Sequence, residues 1–393
     1  MQSVSLRLNG KNESLVYSPN AHKFYLSGVP QTERVKMIKD ICKIDEGLDD
    51  EFYIRQMIEL GRPPQVGFNI ITNRCNMNCS FCYAEANVDQ DSVFKLSWIK
   101  SLKKSLPSEC FGVTVFSGGE PFLYPALVRS LRREFIDVTV YTNGSLIDDD
   151  IAEWMLDTNT KIYVNLDYHM RDFQGHDAIK VRERLSELCD KHDGLESLFS
   201  ISIVMPEDRL DDISNARSKQ QMDFEKSVHH TYNFIPGDSG MSDEQINKEI
   251  DRIESGEVKL TNSIFEREIK RFGYTLETKF CLLSCDPSIT VGFKGDIFLC
   301  HTPASTATSK HTRICSVGEF SMDLYASEVR KQRLTGVCKK DCNMKYLCSG
   351  ICWANLSHNQ FKCDVARKLI PYSLYILANH SNLTPEMLID MFK

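Results

Sequence analysis

The sequence has no apolar run long enough to cross a membrane. No segment of its 393 residues approaches the roughly 18 to 20 consecutive apolar residues that a membrane-spanning helix needs. The opening residues, MQSVSLRLNGKNES, lack the apolar core of a signal peptide. Internal repeats and low-complexity segments are also missing. We therefore expect a globular protein of the cytoplasm with no membrane partner.

The chain has fewer basic than acidic residues. The chain carries 47 Lys and Arg against 54 Asp and Glu, a net charge of −7. Nucleic-acid surfaces need a concentration of Lys and Arg against the phosphates, so we expect no nucleic-acid partner. The contents of 42% hydrophobic and 26% charged residues are typical of a globular chain. A length of 393 residues allows one large domain with smaller additions, or two to three domains.

Cysteine, by contrast, is abundant, with 15 residues. A reducing compartment does not sustain a disulfide framework, so clustered cysteines there indicate metal or redox chemistry. Three cysteines fall between residues 75 and 82, and eight of the nine between 281 and 363 form spaced groups. We expect the other four to be small buried hydrophobes: Cys42, Cys110, Cys189 and Cys315.

The middle of the chain alternates between two kinds of segment. Short apolar runs predict strands at 66–72, 113–117, 138–142, 161–167, 198–205 and 229–235. Amphipathic stretches predict helices between them, at 94–106, 125–135, 151–157, 178–191 and 208–219. This order predicts an α/β fold, a partial (βα)6 TIM-like barrel over residues 66–240. Such a barrel places its chemistry on the loops that follow the strands.

Four further segments flank the barrel. Residues 1–65 predict a hairpin, with strands 14–17 and 23–27, followed by helices. Residues 241–275 predict a helical connector that Ser242 caps. Residues 276–363 predict a small cysteine-rich domain, which something other than hydrophobic burial must stabilise because long apolar patterns are scarce there. Residues 364–393 predict closing helices.

The loop after the first strand carries Cys75, Cys79 and Cys82 at C-x3-C-x2-C spacing. A 4Fe–4S cluster normally takes four cysteines, so three would leave one iron open for another ligand. The alternative is a zinc site that a distant residue completes.

A second motif favours the iron–sulfur cluster over the zinc site. Tyr83 follows the last cysteine, and the sequence Ser-Gly-Gly-Glu-Pro at 117–121 follows the second strand. Together the two loops resemble the radical S-adenosylmethionine superfamily. The resemblance implies that the open iron binds S-adenosylmethionine, whose reductive cleavage produces a 5′-deoxyadenosyl radical. It also implies that Gly118 and Gly119 contact the methionyl amino group and that Glu120 helps to position it.

The ends of the third and fourth strands complete the expected cofactor site. By resemblance, Thr142, Asn143, Asn165 and Asp167 contact the cofactor, although the family commonly has Ser where Asn165 stands. The alternative is that they are turn residues at strand ends. A deprotonation that accompanies the radical chemistry would use a catalytic group at the barrel mouth, for which the candidates are Asp167, Tyr168 and His169.

The eight C-terminal cysteines resemble the SPASM extension of the same superfamily, which binds two auxiliary 4Fe–4S clusters. The hairpin-like segment GFKGDIFLC leads into one of them, Cys300. The resemblance implies one cluster on Cys281, Cys285, Cys300 and Cys352 and another on Cys338, Cys342, Cys348 and Cys363. The C-x3-C spacing at 338–342 departs from the usual C-x2-C, and zinc ribbons are the alternative.

These patterns predict a radical S-adenosylmethionine enzyme with three 4Fe–4S clusters. Its expected substrate is a ribosomally made precursor peptide, which it would crosslink, and its expected electron donor is external, such as a flavodoxin or ferredoxin. Residues 1–65 are expected to help recognise the peptide. The alternatives are an anaerobic sulfatase-maturating enzyme and, from a different class, a non-catalytic zinc-binding module.

Overall fold

The structure of the chain is a computed structural model. The chain forms two compact units. One contains residues 63–240 and 286–332, and the other contains 1–62, 241–285 and 333–393. The described residues are 2–8, 11–18, 23–26, 65–67, 72–77, 79, 82, 86, 89, 94–106, 112–115, 118–135, 137–166, 178–206, 208, 210, 211, 228–235, 240–266, 288–292, 294–299, 313–325, 327, 328, 364, 365, 367–373 and 376.

The chain begins with a three-stranded antiparallel sheet. Its strands are β1 (Gln2–Leu8), β2 (Lys11–Ser18) and β3 (Lys23–Leu26), in that order. Val16 lies opposite Tyr25, which confirms the predicted hairpin. We did not predict β1, although its apolar residues alternate with polar ones in the period of a half-buried strand. The helices predicted after the hairpin lie outside the described residues.

The predicted barrel is confirmed as six parallel strands that pair in chain order, β4 to β9. Its elements are β4 (Gln65–Gly67), α1 (Leu96–Ser105), β5 (Gly112–Val115), α2 (Pro125–Glu134), β6 (Asp137–Thr142), α3 (Asp149–Thr158), β7 (Lys161–Leu166), α4 (Ala178–Lys191), β8 (Phe199–Pro206) and β9 (His229–Ile235). Most of the helix predicted at 208–219 lies outside the described residues.

The sheet buries an apolar core beneath the helices. On β7, Ile162, Val164 and Leu166 are fully buried and alternate with the half-buried Tyr163 and Asn165. Val164 lies on the helix side, because a Cβ atom at Gly144 would touch both Val164 and Val181 of α4. The alternate residues therefore face the opposite, concave side of the sheet.

Helix α5 (Asp243–Glu254) belongs to the other unit and begins with the predicted cap. The Ser242 side chain accepts a hydrogen bond from the Gln245 amide, and the Gln245 side chain bonds back to the Ser242 amide. Residues 367–373 are also helical. In the part of the chain that the structure describes, no helix combines the length and apolar character needed to span a membrane.

Three further strands extend the barrel sheet beyond β4. They are β10 (Ser288–Val291), β11 (Asp296–Phe298) and β12 (Arg313–Ser316). Strand β10 is parallel to β4, β11 is antiparallel to β10, and β12 is antiparallel to β11. The β10–β11 pair is the hairpin expected before Cys300. The sheet has nine described strands, and its end strands β12 and β9 do not pair with each other.

Candidate active site at the carboxyl ends of the strands

The cysteine loop follows β4 at the carboxyl edge of the sheet. Cys75, Cys79 and Cys82 are half-buried thiols. The Cys82 amide donates to the Cys79 carbonyl at 3.1 Å, and the Met77 amide donates to the Cys75 Sγ atom at 3.4 Å. Hydrogen bonds from backbone amides of the loop therefore help to fix its conformation.

Burial, together with the charges of Glu120 and Cys82, raises the pKa of Cys75 to about 11. The Met77 amide and the Asn143 side chain act in the opposite direction. Such a thiol keeps its proton at neutral pH unless a metal displaces it. The protonated Cys75 thiol is a weak nucleophile, and the role of the three cysteines as cluster ligands stays a prediction.

The donor set suits an iron–sulfur cluster. Among the described residues, no group of three His, Cys, Asp or Glu side chains is placed to hold a single metal ion. A 4Fe–4S cluster is larger, and its thiolates bind separate iron atoms, so they need not converge on a point. Three half-buried thiols on one loop fit such a cluster with one iron open.

The Gly-Gly-Glu loop after β5 packs directly on the cysteine loop. The Glu120 amide donates to the Arg74 carbonyl at 3.0 Å. A Cβ atom at Gly119 would lie 2.0 Å from that carbonyl oxygen and 3.0 Å from the carbonyl oxygen of Thr72. Only glycine permits this approach without a shift, because the neighbours are backbone atoms rather than flexible side chains. Gly118, beside it, is also buried.

Glu120 joins this loop to the end of β6. Its side chain is 1% exposed. One oxygen accepts hydrogen bonds from the Phe122 amide at 3.0 Å and the Thr142 hydroxyl at 2.7 Å, and the other accepts from the Asn143 amide at 2.9 Å. Burial raises the pKa of Glu120 above its ordinary value, and the three hydrogen-bond donors only partly oppose this effect. A contact between Glu120 and a cofactor stays a prediction, whereas its role in holding Thr142 and Asn143 is observed.

Asn143 connects β6 to the cysteine loop. Its Nδ2 atom donates to the Asn76 Oδ1 atom at 2.9 Å, and the Asn76 Nδ2 atom donates to the Ser145 hydroxyl at 2.9 Å. Sequence reasoning singled out Asn143 but missed Asn76 and Ser145. A polar residue between two cysteines carries no local signal for a partner that is 67 residues away.

The concave face of the sheet is lined by polar side chains. Tyr141 and Tyr163 stack with ring centroids 4.7 Å apart and planes 12° apart. Asn165, a predicted cofactor contact, lies two residues after Tyr163 on the same face of β7. It pairs in register with Ser202 of β8. The Asn233 side chain donates to the Ser202 hydroxyl at 2.6 Å. The alternating serines of β8 could have identified this face from sequence.

Several predicted site residues lie outside the described residues. They are Asp167, Tyr168 and His169 and the eight C-terminal cysteines, Cys281, Cys285, Cys300, Cys338, Cys342, Cys348, Cys352 and Cys363. Their roles stay predictions.

The fold and the site define an α/β barrel protein with a thiol-rich loop at the carboxyl ends of its strands. Residues 69–253 match the model of the Radical SAM superfamily. This match to a Radical SAM domain confirms the resemblance inferred from the two loops.

Several curated relatives match parts of the chain. An Fe-coproporphyrin III synthase of Methanosarcina barkeri is 34% identical over 23% of this chain and 24% of that protein. The antilisterial bacteriocin subtilosin biosynthesis protein AlbA of Bacillus subtilis is 25% identical over 29% of this chain and 26% of AlbA. Each of these two matches spans only about a quarter of the relative's own length.

Solved structures match more of the chain. The structure of anSMEcpe with bound AdoMet has a TM-score of 0.60 at 16% identity, over 81% of this chain and 99% of that one. Another structure holds anSMEcpe with AdoMet and the Cp18Cys peptide. Streptococcus suis SuiB bound to its precursor peptide SuiA has a TM-score of 0.52 at 15% identity, over 81% of this chain and 77% of that one. At this identity the likeness shows the fold alone.

Proposed function

We propose that this chain is a radical S-adenosylmethionine enzyme of the cytoplasm that crosslinks a ribosomally made precursor peptide. The observation that carries the proposal is the backbone contact between the cysteine loop, at Arg74, and the Gly-Gly-Glu loop, at Gly119 and Glu120. When bound at Cys75, Cys79 and Cys82, a 4Fe–4S cluster with an open iron supplies the electron that cleaves S-adenosylmethionine to a 5′-deoxyadenosyl radical.

The residues of the chain would bind and orient the cofactor and the substrate. Gly118 and Gly119 lack side chains, so backbone polar groups stay open to the methionyl end of the cofactor. Glu120 acts through Thr142 and Asn143, whose positions it holds. Polar groups on the concave face give a hydrogen-bonding surface for the nucleoside and the substrate.

Other residues would handle the proton and the electrons. Asp167, Tyr168 and His169 directly follow β7, where a proton acceptor would face the substrate. The eight C-terminal cysteines equal two sets of four thiolates, so we assign them to two auxiliary clusters. These clusters would take the surplus electron from the modified peptide, and a flavodoxin or ferredoxin would supply the first electron.

The relatives support a peptide substrate. SuiB is bound to a precursor peptide, and AlbA serves the biosynthesis of a bacteriocin. A second candidate function, anaerobic sulfatase maturation, is favoured by the fold match to anSMEcpe, one structure of which holds the Cp18Cys peptide. The Fe-coproporphyrin III synthase matches only 23% of this chain, so that match does not decide the substrate.

The first experiment tests the class of enzyme. After anaerobic purification, the protein should be brown and should convert S-adenosylmethionine to 5′-deoxyadenosine when it is reduced with dithionite. Changing Cys75, Cys79 and Cys82 together to Ala should abolish the product. The matched control is Cys189→Ala, a half-buried free cysteine outside the loop, which should keep it. A colourless protein that binds zinc, or a triple variant with unchanged product, contradicts the proposal.

The second experiment tests the substrate. A short open reading frame beside the gene would supply a precursor peptide, which should lose two hydrogen atoms for each crosslink by mass spectrometry. A Cys- or Ser-bearing sulfatase peptide is the rival substrate. Turnover of the sulfatase peptide alone would favour the second candidate function.

A further inference from the structure

Asn76 is the residue between Cys75 and Met77, and both ends of its side-chain amide are held. Its Oδ1 atom accepts from Asn143 Nδ2 at 2.9 Å, and its Nδ2 atom donates to the Ser145 hydroxyl at 2.9 Å. The cysteine loop is therefore tied to the loop after β6 by two hydrogen bonds at a single position. We call this pair of bonds the Asn76 latch.

The partners of the latch are themselves fixed. The Asn143 Oδ1 atom accepts from both the amide of Ser145, at 3.0 Å, and its hydroxyl, at 2.7 Å. The Asn143 amide donates to the buried carboxylate of Glu120 at 2.9 Å. The latch is thus anchored in the barrel core, and it can impose a conformation on the cysteine loop.

The conformation that the latch imposes has a chemical consequence at Cys75. The buried Met77 donates its backbone N–H to the Cys75 Sγ atom at 3.4 Å, across the turn whose middle residue is Asn76. Hydrogen bonds to the sulfur atoms of an iron–sulfur cluster are among the determinants of its reduction potential. An N–H group favours the reduced cluster because that form carries more negative charge on its sulfurs.

We propose that Asn76, held by Asn143 and Ser145, is a positioning residue that keeps the Met77 N–H group on the sulfur of Cys75. By doing so it raises the reduction potential of the cluster bound at Cys75, Cys79 and Cys82. This inference rests on the proposed function, because it assigns a role to Asn76 only when that cluster is present. It goes beyond that function, because it names a residue that sets how readily the cluster takes its electron.

The test is a redox titration of the full-length holoenzyme, followed by electron paramagnetic resonance. The signal that changes when S-adenosylmethionine is added reports the cluster at the cysteine loop. Asn76→Ala removes both latch bonds and should shift the midpoint potential of that signal to a more negative value. Ser145→Ala removes one bond and should give a smaller shift in the same direction. Ser97→Ala, an exposed serine on α1, is the matched control and should leave the potential unchanged.

A second measurement reads the hydrogen bond directly. Deuterium exchange of the Met77 amide should be slow in the wild type and at least several-fold faster in Asn76→Ala. An unchanged midpoint potential in both latch variants, with unchanged exchange at Met77, overturns the inference. If Asn76→Ala cannot retain the cluster while Ser145→Ala has the wild-type potential and exchange, Asn76 is only structural and the inference is also wrong. A wild-type protein without any signal sensitive to S-adenosylmethionine would instead overturn the proposed function.

Discussion

The indole ring of Trp98 lies against Gly295, so closely that a Cβ atom at residue 295 would be 2.8 Å from the Cε2 atom of the ring. Trp98 is on α1, and Gly295 is in the turn between β10 and β11. Phe94 packs edge-on against the same indole at 5.2 Å between ring centroids. The hairpin that leads into Cys300 is therefore seated on the first helix of the barrel.

Gly295→Ala should destabilise this seat for two reasons. Residue 295 has a φ of +80°, where an L-residue costs about 1–2 kcal/mol, and the new methyl group would also overlap the indole. Gly194→Ala isolates the first cost, since residue 194 has a φ of +82° and nothing within 4 Å. Urea unfolding should show a larger loss for Gly295→Ala than for Gly194→Ala. Adding Trp98→Ala should remove much of the excess penalty, and equal losses for the two glycine variants would contradict this account.

Gly119→Ala should displace the cysteine loop. The methyl group would lie 2.0 Å from the Arg74 carbonyl oxygen, so either that backbone or the Gly-Gly-Glu loop must move. We expect lower iron content and weaker S-adenosylmethionine binding, measured by iron analysis and calorimetry. Gly318→Ala is the control, because nothing lies within 4 Å of a Cβ atom there. Wild-type iron and affinity in Gly119→Ala would show that the two loops adjust freely.

Glu120→Gln should lower the free energy of unfolding by about 1–3 kcal/mol, since its new amide group would face a donor in a buried site. The loss should depend on pH. Burial raises the native pKa of Glu120 above its ordinary value of 4.5, so the native state binds the proton more tightly than the unfolded chain does. Wild-type stability from this group therefore falls as pH rises from about 4.5 through the native pKa. The difference between wild type and variant should shrink as pH rises above about 4.5, and a widening difference would contradict this sign.

The auxiliary ligands should be separable from the cysteine loop. Changing Cys338, Cys342, Cys348 and Cys363 together to Ala should lower the iron content from about twelve to about eight per chain, as expected for the loss of one cluster held by four cysteines. Cleavage of S-adenosylmethionine without peptide should persist, whereas formation of the crosslink should fail. Loss of zinc with no change in iron would support the zinc-ribbon alternative instead.

The N-terminal sheet should be needed for the peptide rather than for the cofactor. Strand β3 is an edge of that sheet, and an exposed edge can accept an extended peptide as an added strand. Deleting residues 1–60 should leave cleavage of S-adenosylmethionine intact and abolish binding of the precursor, measured by calorimetry. A truncated protein that is insoluble or has lost its iron would show that this segment is part of the core.

Much of the fold could be predicted from sequence because its signals are local. The β2–β3 hairpin, the alternation of strands and helices and the Ser242 cap each follow from a few adjacent residues. The extension of the barrel sheet by β10, β11 and β12 was not predicted. Parallel pairing of β10 with β4, as of Ile289 with Val66, joins segments more than 200 residues apart, and no local pattern encodes that choice of neighbour.

For the site, the sequence by itself determined the chemistry: three thiols on one loop and a Gly-Gly-Glu motif one βα unit later. Only the tertiary structure decided how these parts are joined. It placed Gly119 on the Arg74 backbone, gave Glu120 three protein donors and brought Asn143 to Asn76. These contacts exist because parallel strands β4, β5 and β6 are neighbours in register and their carboxyl ends meet at one edge. That adjacency depends on how the whole sheet packs, which single residues and their spacing do not specify.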